Sequence, residues 1–237
     1  MDARTLMWIL FWAFVPSLLA LDLLVLQRRA HVLAFREASL MVAFWVGVGL
    51  IFAGIVFGVL GASKGLEYLT AYIVEYSLSM DNIFVFVVIF AYFAVPREAH
   101  HRVLYLGILG AIFFRGVFIF AGIELVERVV WAFLLLGAVL LYTAIRLLRH
   151  KEGETRPDRV WLVRLARRFL KFSDTYRGAS FLTRQGGRLL ATPLFLVVLA
   201  VEGTDIIFAF DSVPAVLGIS HDRFVAYSSN LFAILGL

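Results

Sequence analysis

The sequence predicts an all-α, polytopic transmembrane helical bundle, and three observations carry that prediction. Hydrophobic residues make up 62% of the 237-residue chain, and its mean hydropathy is +0.91. The apolar residues form long runs, most of them near the length of about 20 residues that a spanning helix needs. Basic residues concentrate between the runs, which is typical of membrane proteins. These features place the chain in the membrane class.

Seven apolar runs follow one another and are interpreted as candidate spans. The first lacks the strongly basic start and the small-residue cleavage site of a signal peptide, so we interpret it as a retained helix. The seventh is shorter than the roughly 20 residues of a span, so we expect a truncated last helix. The runs are Leu6–Leu26, Leu40–Gly61, Ala71–Val95, Val103–Ile123, Val129–Leu147, Pro193–Gly218 and Phe224–Leu237.

Loop charge predicts the orientation of the spans. Odd-numbered loops hold clusters of arginine, whereas even-numbered loops hold Lys64 alone or pair a basic residue with acids, as for Arg128 beside Glu124 and Glu127. The positive-inside rule therefore predicts an outside N-terminus and a cytoplasmic loop over residues 149–190. The arginines of the odd-numbered loops are Arg28, Arg29 and Arg36, then Arg97 and Arg102, then those from Arg149 to Arg188.

The long basic loop contains a segment, Arg159–Phe172, in which apolar and basic residues alternate at helical spacing. One interpretation is an interfacial helix lying on anionic lipid headgroups. The other is a plain solvated connector, and the sequence leaves both open.

Composition and motifs exclude several classes of function. The net charge of +5 does not indicate nucleic-acid binding, because the basic residues flank apolar spans. The chain has no cysteine, which excludes disulfides and thiolate metal sites. No nucleophile elbow, Walker loop, dinucleotide fingerprint or HExxH motif is present. We therefore expect neither enzymatic activity nor a tightly bound cofactor.

Two acidic clusters lie inside the apolar runs. The first runs from Glu75 to Asp81 and Asn82, and the second contains Glu202, Asp205, Asp211 and Ser212. A carboxylate at the centre of a bilayer costs about 2.5–3.5 kcal/mol on insertion scales. The clusters therefore predict an ion or proton path and a cation as substrate.

The clusters can be aligned with each other. Glu75 then falls on Asp205, Asp81 on Asp211 and Asn82 on Ser212. Because the two copies lie three spans apart, they predict inverted three-helix repeats, a plan that recurs in transporters. The predicted domains are 1–62 with two helices, 67–148 as the first repeat, 149–190 as the basic loop, and 191–237 as an incomplete second repeat.

Residues six apart on a helix point about 120° away from each other, so the paired carboxylates do not share a face. They converge only if the helix unwinds, which Pro214 would favour by freeing the carbonyl of Phe210, or if different helices supply the ligands. Within the first cluster, Glu75, Ser79 and Asn82 form a polar stripe at i, i+4 and i+7.

A structural interpretation competes with the functional one, since polar side chains also join membrane helices by hydrogen bonds. Six acids lie in the spans, and Arg115 is the only clear base among them. One arginine cannot neutralise six acids, so some must be protonated or bind cations. We interpret Arg115 as an ion-pair partner or a gate. Asp22 lies near a span end, where it reaches the interface.

Several stretches together resemble the TerC/Alx family of bacterial integral membrane proteins. They begin at Glu75, Tyr92, Ala191, Glu202 and Ser229, and they read EYSLSMDNIFVF, YFAVPR, ATPLFL, EGTDIIFAFDSVPAV and SNLFAILGL. The resemblance implies an inner-membrane protein related to cation exporters of the LysE type. The family is named for tellurium resistance, and several members are linked to manganese export.

By this resemblance, Glu75, Asp81, Glu202, Asp205 and Asp211 are the metal-site candidates, with Asn82 and Ser212 in support. The expected function is export of a divalent cation, most readily Mn²⁺, by alternating access and with proton exchange. The alternative is a membrane scaffold of a tellurite- or stress-resistance complex without transport, which binds a cytoplasmic partner through the basic loop. A homo-oligomer fits either alternative.

Overall fold

The computed structural model describes residues 2–21, 35–129, 131–149, 157–185 and 187–236. The described residues are mainly α-helical, in agreement with the predicted fold class. The helices are α1 (Ala3–Leu21), α2 (Phe35–Leu60), α3 (Ala62–Tyr92), α4 (Arg97–Arg128), α5 (Ala132–Arg149), α6 (Trp161–Phe169), α7 (Pro193–Ile219) and α8 (Arg223–Leu235).

Within the described ranges, each of the seven predicted apolar runs overlaps a helix. Among the described residues, four helices are long and apolar enough to cross a membrane: Arg36–Leu60, Ala62–Tyr92, Arg97–Arg128 and Pro193–Ile219. The apolar stretches of α1 and α5 are shorter. Asp22, Arg28 and Arg29 lie outside the described residues.

A single glycine separates α2 from α3. Gly61 has φ +88° and open space around its Cβ position, a backbone conformation that glycine adopts without steric cost. The chain re-enters a helix at once, and the Gly65 N–H donates to the Gly61 carbonyl at 3.0 Å. Lys64 was assigned to a loop from the sequence. It instead lies in the first turn of α3, where it pairs with Glu67 at 2.7 Å, because α3 begins nine residues before the apolar run.

Replacing Gly61 by alanine is expected to lower the free energy of unfolding by about 1–2 kcal/mol, because a Cβ is disfavoured at positive φ. The matched control is Gly54→Ala inside α2, where a Cβ meets nothing within 4 Å and alanine is the better helix former. Unfolding in mixed detergent micelles, followed by circular dichroism, measures both. Equal stability of the two variants would contradict the prediction.

One compact unit comprises Met1–Ser77 and Val216–Leu237. Aromatic rings form its core: Phe52 and Phe232 have ring centroids 4.7 Å apart, and Trp8 meets Phe224 edge-on at 5.0 Å. Such pairs contribute about 0.5–1.5 kcal/mol beyond their buried area. Asp222 caps α8, accepting from the Phe224 N–H at 3.0 Å, and also pairs with Arg4 at 2.8 Å.

The second compact unit comprises Leu78–Ala215. Its apolar core joins the end of α3, the start of α4, α6 and the first half of α7, through buried residues such as Ile89, Val103, Val163 and Val197. This core fixes the first half of α7 against α4, where the candidate site lies.

The described part of the basic loop is folded onto the same unit. Arg102 of α4 donates to the Ala179 carbonyl at 3.0 Å, and Tyr176 donates to the Phe93 carbonyl at 2.6 Å. Burial raises the pKa of Tyr176, so its hydroxyl remains a donor at neutral pH. The basic loop and the α3–α4 connection therefore lie at the same end of this unit.

A two-stranded antiparallel hairpin, β1 (Leu182–Gln185) and β2 (Arg188–Ala191), adds to the predicted all-α fold. Gln185 pairs with Arg188, and the sequence between these two residues is the dipeptide Gly186-Gly187. That dipeptide is a known signal for a two-residue hairpin turn.

Candidate functional site

The central contact of the candidate site is a buried ion pair between α4 and α7. The Arg115 side chain is 2% exposed, and its Nη2 donates to Asp205 Oδ1 at 3.2 Å. Its Nη1 donates to Ser212 Oγ at 3.4 Å. Asp205 and Ser212 lie about two helical turns apart on one face of α7, so one guanidinium from α4 reaches both. A buried carboxylate needs such a partner, since an unpaired buried charge is strongly destabilising.

A second carboxylate lies on the same face of α7. Glu202 precedes Asp205 by one helical turn, and it is buried. Its carboxylate lies against Gly110 of α4, so closely that a Cβ on Gly110 would overlap both oxygens. Gly107, one turn earlier, similarly faces Val201, whose Cγ1 lies 2.9 Å from the position of its Cβ. Glycines on α4 thus allow a carboxylate to lie directly against helix backbone.

Both carboxylates retain hydrogen-bonding capacity. Among the described residues, no protein group donates to Oε2 of Glu202 or to Oδ2 of Asp205, and both atoms are buried. A carboxylate offers about four acceptor positions, and leaving a buried acceptor unsatisfied costs about 1–3 kcal/mol. A cation, a proton or water at these oxygens would remove that cost.

The polar stripe predicted on α3 is buried along its whole length. Glu75 is 0% exposed, Ser79 2% and Asn82 7%. Asp81, by contrast, is exposed. Ser79 and Asn82 lie on the same face of α3, and Asp81 lies on a different face. Ser79, Asp81 and Asn82 belong to the same compact unit as Arg115, whereas Glu75 belongs to the other unit.

The remaining predicted residues lie on α7, where Asp211 is partly buried. The structure brings Asp205 and Ser212 to Arg115. Within the described part of the chain, no group of three or more His, Cys, Asp or Glu side chains is placed to hold a metal ion. The seven-residue metal set, Glu75, Asp81, Asn82, Glu202, Asp205, Asp211 and Ser212, therefore stays a prediction.

Unwinding of the acidic helices was one of two routes proposed for convergence, and it is not observed. α3 is continuous over Ala62–Tyr92 and α7 over Pro193–Ile219, with Pro214 inside the helix. Proline removes one backbone hydrogen bond, but the neighbouring turns remain helical. The contact that the structure shows joins two helices, with Arg115 of α4 meeting Asp205 of α7, and convergence of the paired carboxylates stays a prediction.

Sequence reasoning missed the role of Gly110. The pair Gly107 and Gly110 is readily interpreted as a helix-packing motif, which is the usual role of small residues in membrane helices. Their spacing of three residues did indicate a close helix contact, but no sequence signal named Glu202 as the side chain that occupies it.

These features define a helical integral membrane protein with a buried arginine–carboxylate site between two apolar helices. The chain belongs to the integral membrane protein TerC family, whose model matches residues 60–237.

Similar proteins cover nearly the whole chain. An uncharacterised membrane protein of Myxococcus xanthus is 44% identical over 231 residues, which is 98% of this chain and 72% of the relative. A Salmonella typhi protein named "Putative membrane-bound redox modulator Alx" is 39% identical over 241 residues, 98% of this chain and 75% of the relative. A membrane protein of Rickettsia bellii is 34% identical over 232 residues, 97% of this chain and 76% of the relative. No solved structure matches the chain.

Proposed function

We propose that this protein transports a divalent cation across the membrane through the Glu202–Asp205 face of α7. The observation that carries the proposal is the pair of buried carboxylate oxygens, Oε2 of Glu202 and Oδ2 of Asp205, to which no described protein group donates. Ionisable residues inside a membrane helix are costly and mark ion or proton pathways. Carboxylate oxygens suit hard divalent cations.

Arg115 supplies the counter-charge when the site holds no cation. Its guanidinium donates to Oδ1 of Asp205 at 3.2 Å. A cation that binds Glu202 and Asp205 would compete with this contact, because two positive charges at one carboxylate repel each other. We therefore propose that Arg115 is the ion-pair partner of Asp205 and gates the entry of the cation.

Mn²⁺ is the substrate that we propose first, on the basis of the family resemblance. The chemistry of the site suits manganese, magnesium and calcium alike. Small divalent ions such as Mg²⁺ keep several water ligands when proteins bind them through one or two carboxylates, so a two-carboxylate site is compatible with transport. Alternating access of inverted repeats and exchange of the cation for a proton complete the proposed mechanism.

The proposed location is the bacterial inner membrane, with the N-terminus outside and loop 149–190 in the cytoplasm. The folded part of that loop contacts the α3–α4 connection through Arg102 and Tyr176. The positive-inside rule requires these two arginine-rich segments to lie on the same side, and their contact supports that requirement.

Manganese flux into proteoliposomes tests the proposal. We expect the wild-type chain to carry Mn²⁺, and Glu202→Gln and Asp205→Asn each to lower the rate at least about tenfold, since even groups that only support metal ligands have effects of that size. Glu98→Gln, which removes an exposed acid at the start of α4, is the control and should leave the rate unchanged. A lumenal pH dye reports proton exchange.

Absence of flux in the folded wild-type protein, across several divalent metals, would contradict transport. It would favour the scaffold alternative, for which the folded basic loop supplies the binding surface. Asp81→Asn and Asp211→Asn extend the series to the other predicted ligands, and a normal rate in Asp81→Asn would remove the exposed Asp81 from the metal set.

A further inference from the structure

Helix α6 lies outside the four candidate spans and has three distinct faces. One face packs on protein: Val163 is 0% exposed and belongs to the core that contains the first half of α7. Val160 and Leu162 also lie against Gly203, with Val160 Cγ1 2.5 Å from the position that a Cβ on Gly203 would take. Contacts with α7 therefore fix the orientation of α6.

A second face of α6 is apolar and exposed. Trp161, Leu165 and Phe169, spaced at i, i+4 and i+8, are 47%, 47% and 74% exposed. In a spanning helix such residues would face lipid, but α6 is only nine residues long and belongs to the loop. Leaving this stripe in water would forfeit part of the roughly 1.5–3 kcal/mol that full burial of a large apolar side chain contributes.

The third face is basic. The segment Trp161–Lys171 carries three arginines and one lysine and no acid, and Arg164, Arg167 and Arg168 are exposed. On a helical wheel these arginines lie beside the apolar stripe, on the side opposite Leu162 and Ala166. A helix with an apolar stripe beside basic residues is the arrangement that binds anionic lipid surfaces.

We propose that α6 is an anionic-lipid binding site, in which the Trp161–Leu165–Phe169 stripe contacts acyl chains and Arg164 and Arg168 bind the phosphate of an acidic headgroup. Because α6 docks on α7, a candidate span, we infer that the stripe reaches the surrounding bilayer. The segment is positively charged and contains no acid, so it complements anionic headgroups. This charge complementarity favours an anionic lipid over an apolar protein partner. This site is independent of the proposed cation transport.

Trp161 provides a direct readout. The full chain is reconstituted in bilayers that contain phosphatidylglycerol or phosphatidylcholine brominated on the acyl chains, and the quenching due to Trp161 is the difference between wild type and Trp161→Phe. We expect brominated phosphatidylglycerol to quench Trp161 at least about fivefold more effectively than phosphatidylcholine, because each basic residue at an anionic surface contributes roughly that factor.

Removing two charges from α6 with Arg164→Gln/Arg168→Gln should lower the ratio of the two quenching constants at least about fivefold. The control, Arg177→Gln/Arg184→Gln, removes the same charge from exposed positions outside α6 and should preserve the ratio. Equal loss of the ratio in both double variants would overturn the assignment to α6. Absence of Trp161 quenching by either lipid would overturn the proposal entirely, since the stripe would then be covered by protein or water.

Discussion

Replacing Arg115 by glutamine is expected to lower the free energy of unfolding by about 3–5 kcal/mol, the usual result of removing one partner of a buried ion pair. Asp205, whose side chain is 6% exposed, would be left as an uncompensated charge in a low-dielectric environment. Ser212 would also lose its contact with the guanidinium. Reversible unfolding in mixed detergent micelles, followed by circular dichroism, measures the change.

The double variant Arg115→Gln/Asp205→Asn isolates the pair. Because it removes both charges together, its loss of stability should be smaller than the sum of the two single losses, by about 0.5–3 kcal/mol for contacting residues. The matched control is Arg128→Gln, which breaks the exposed ion pair with Glu124 and should change stability by no more than about 1 kcal/mol. Strictly additive single effects, or an Arg115 effect no larger than that of Arg128, would contradict the interpretation of Arg115 as the partner of Asp205.

The helices could be predicted from the sequence because apolar run length and helical geometry are local properties. The predicted run Pro193–Gly218 and the observed α7, Pro193–Ile219, agree closely. α3 extends further toward its N-terminus than its apolar run, because Lys64 and Glu67 pair at i, i+3 and continue the helix with polar residues. Hydropathy alone cannot detect such an extension.

The buried face of each acidic helix could be predicted only in part. The i, i+4, i+7 stripe of Glu75, Ser79 and Asn82 is buried as periodicity indicates. Asp81, which the family resemblance placed in the metal set and which aligns with Asp211, is exposed. Helical spacing already separates Asp81 from the stripe, so its exposure follows from the geometry of one helix, and its place in the metal set stays a prediction.

Contacts between helices required the structure. The sequence identified Arg115 as the only clear base in the predicted spans. It did not indicate that Asp205, of the six acids in those spans, is the partner of Arg115. The contact arises because Arg115 and Asp205 lie on the faces that α4 and α7 turn toward each other, a property of tertiary packing. The glycines of α4 at this helix contact, Gly107 and Gly110, are recognisable in the sequence as a packing motif. The sequence does not indicate which side chains of α7 lie against them.

Replacing Gly110 by alanine should therefore lower Mn²⁺ flux at least about tenfold, because it displaces a proposed metal ligand, while costing only about 1–3 kcal/mol of stability, as for other small-to-large changes. The added Cβ would overlap both carboxylate oxygens of Glu202, and the flexible side chain would swing away from α4. Proteoliposome flux and detergent unfolding, measured on the same preparation, separate the two effects.

Two further variants distinguish displacement of the carboxylate from general loosening of the helix contact. Gly107→Ala places a Cβ 2.9 Å from Val201 Cγ1, so it should disturb packing to a similar degree while retaining most of the flux. Gly110→Ala/Glu202→Asp shortens the carboxylate side chain by one methylene, which makes room for the new Cβ, and should regain stability relative to Gly110→Ala alone. If Gly107→Ala abolishes flux as completely as Gly110→Ala, and the shorter acid restores nothing, then the essential feature is the packing of α4 on α7 rather than the position of the Glu202 carboxylate.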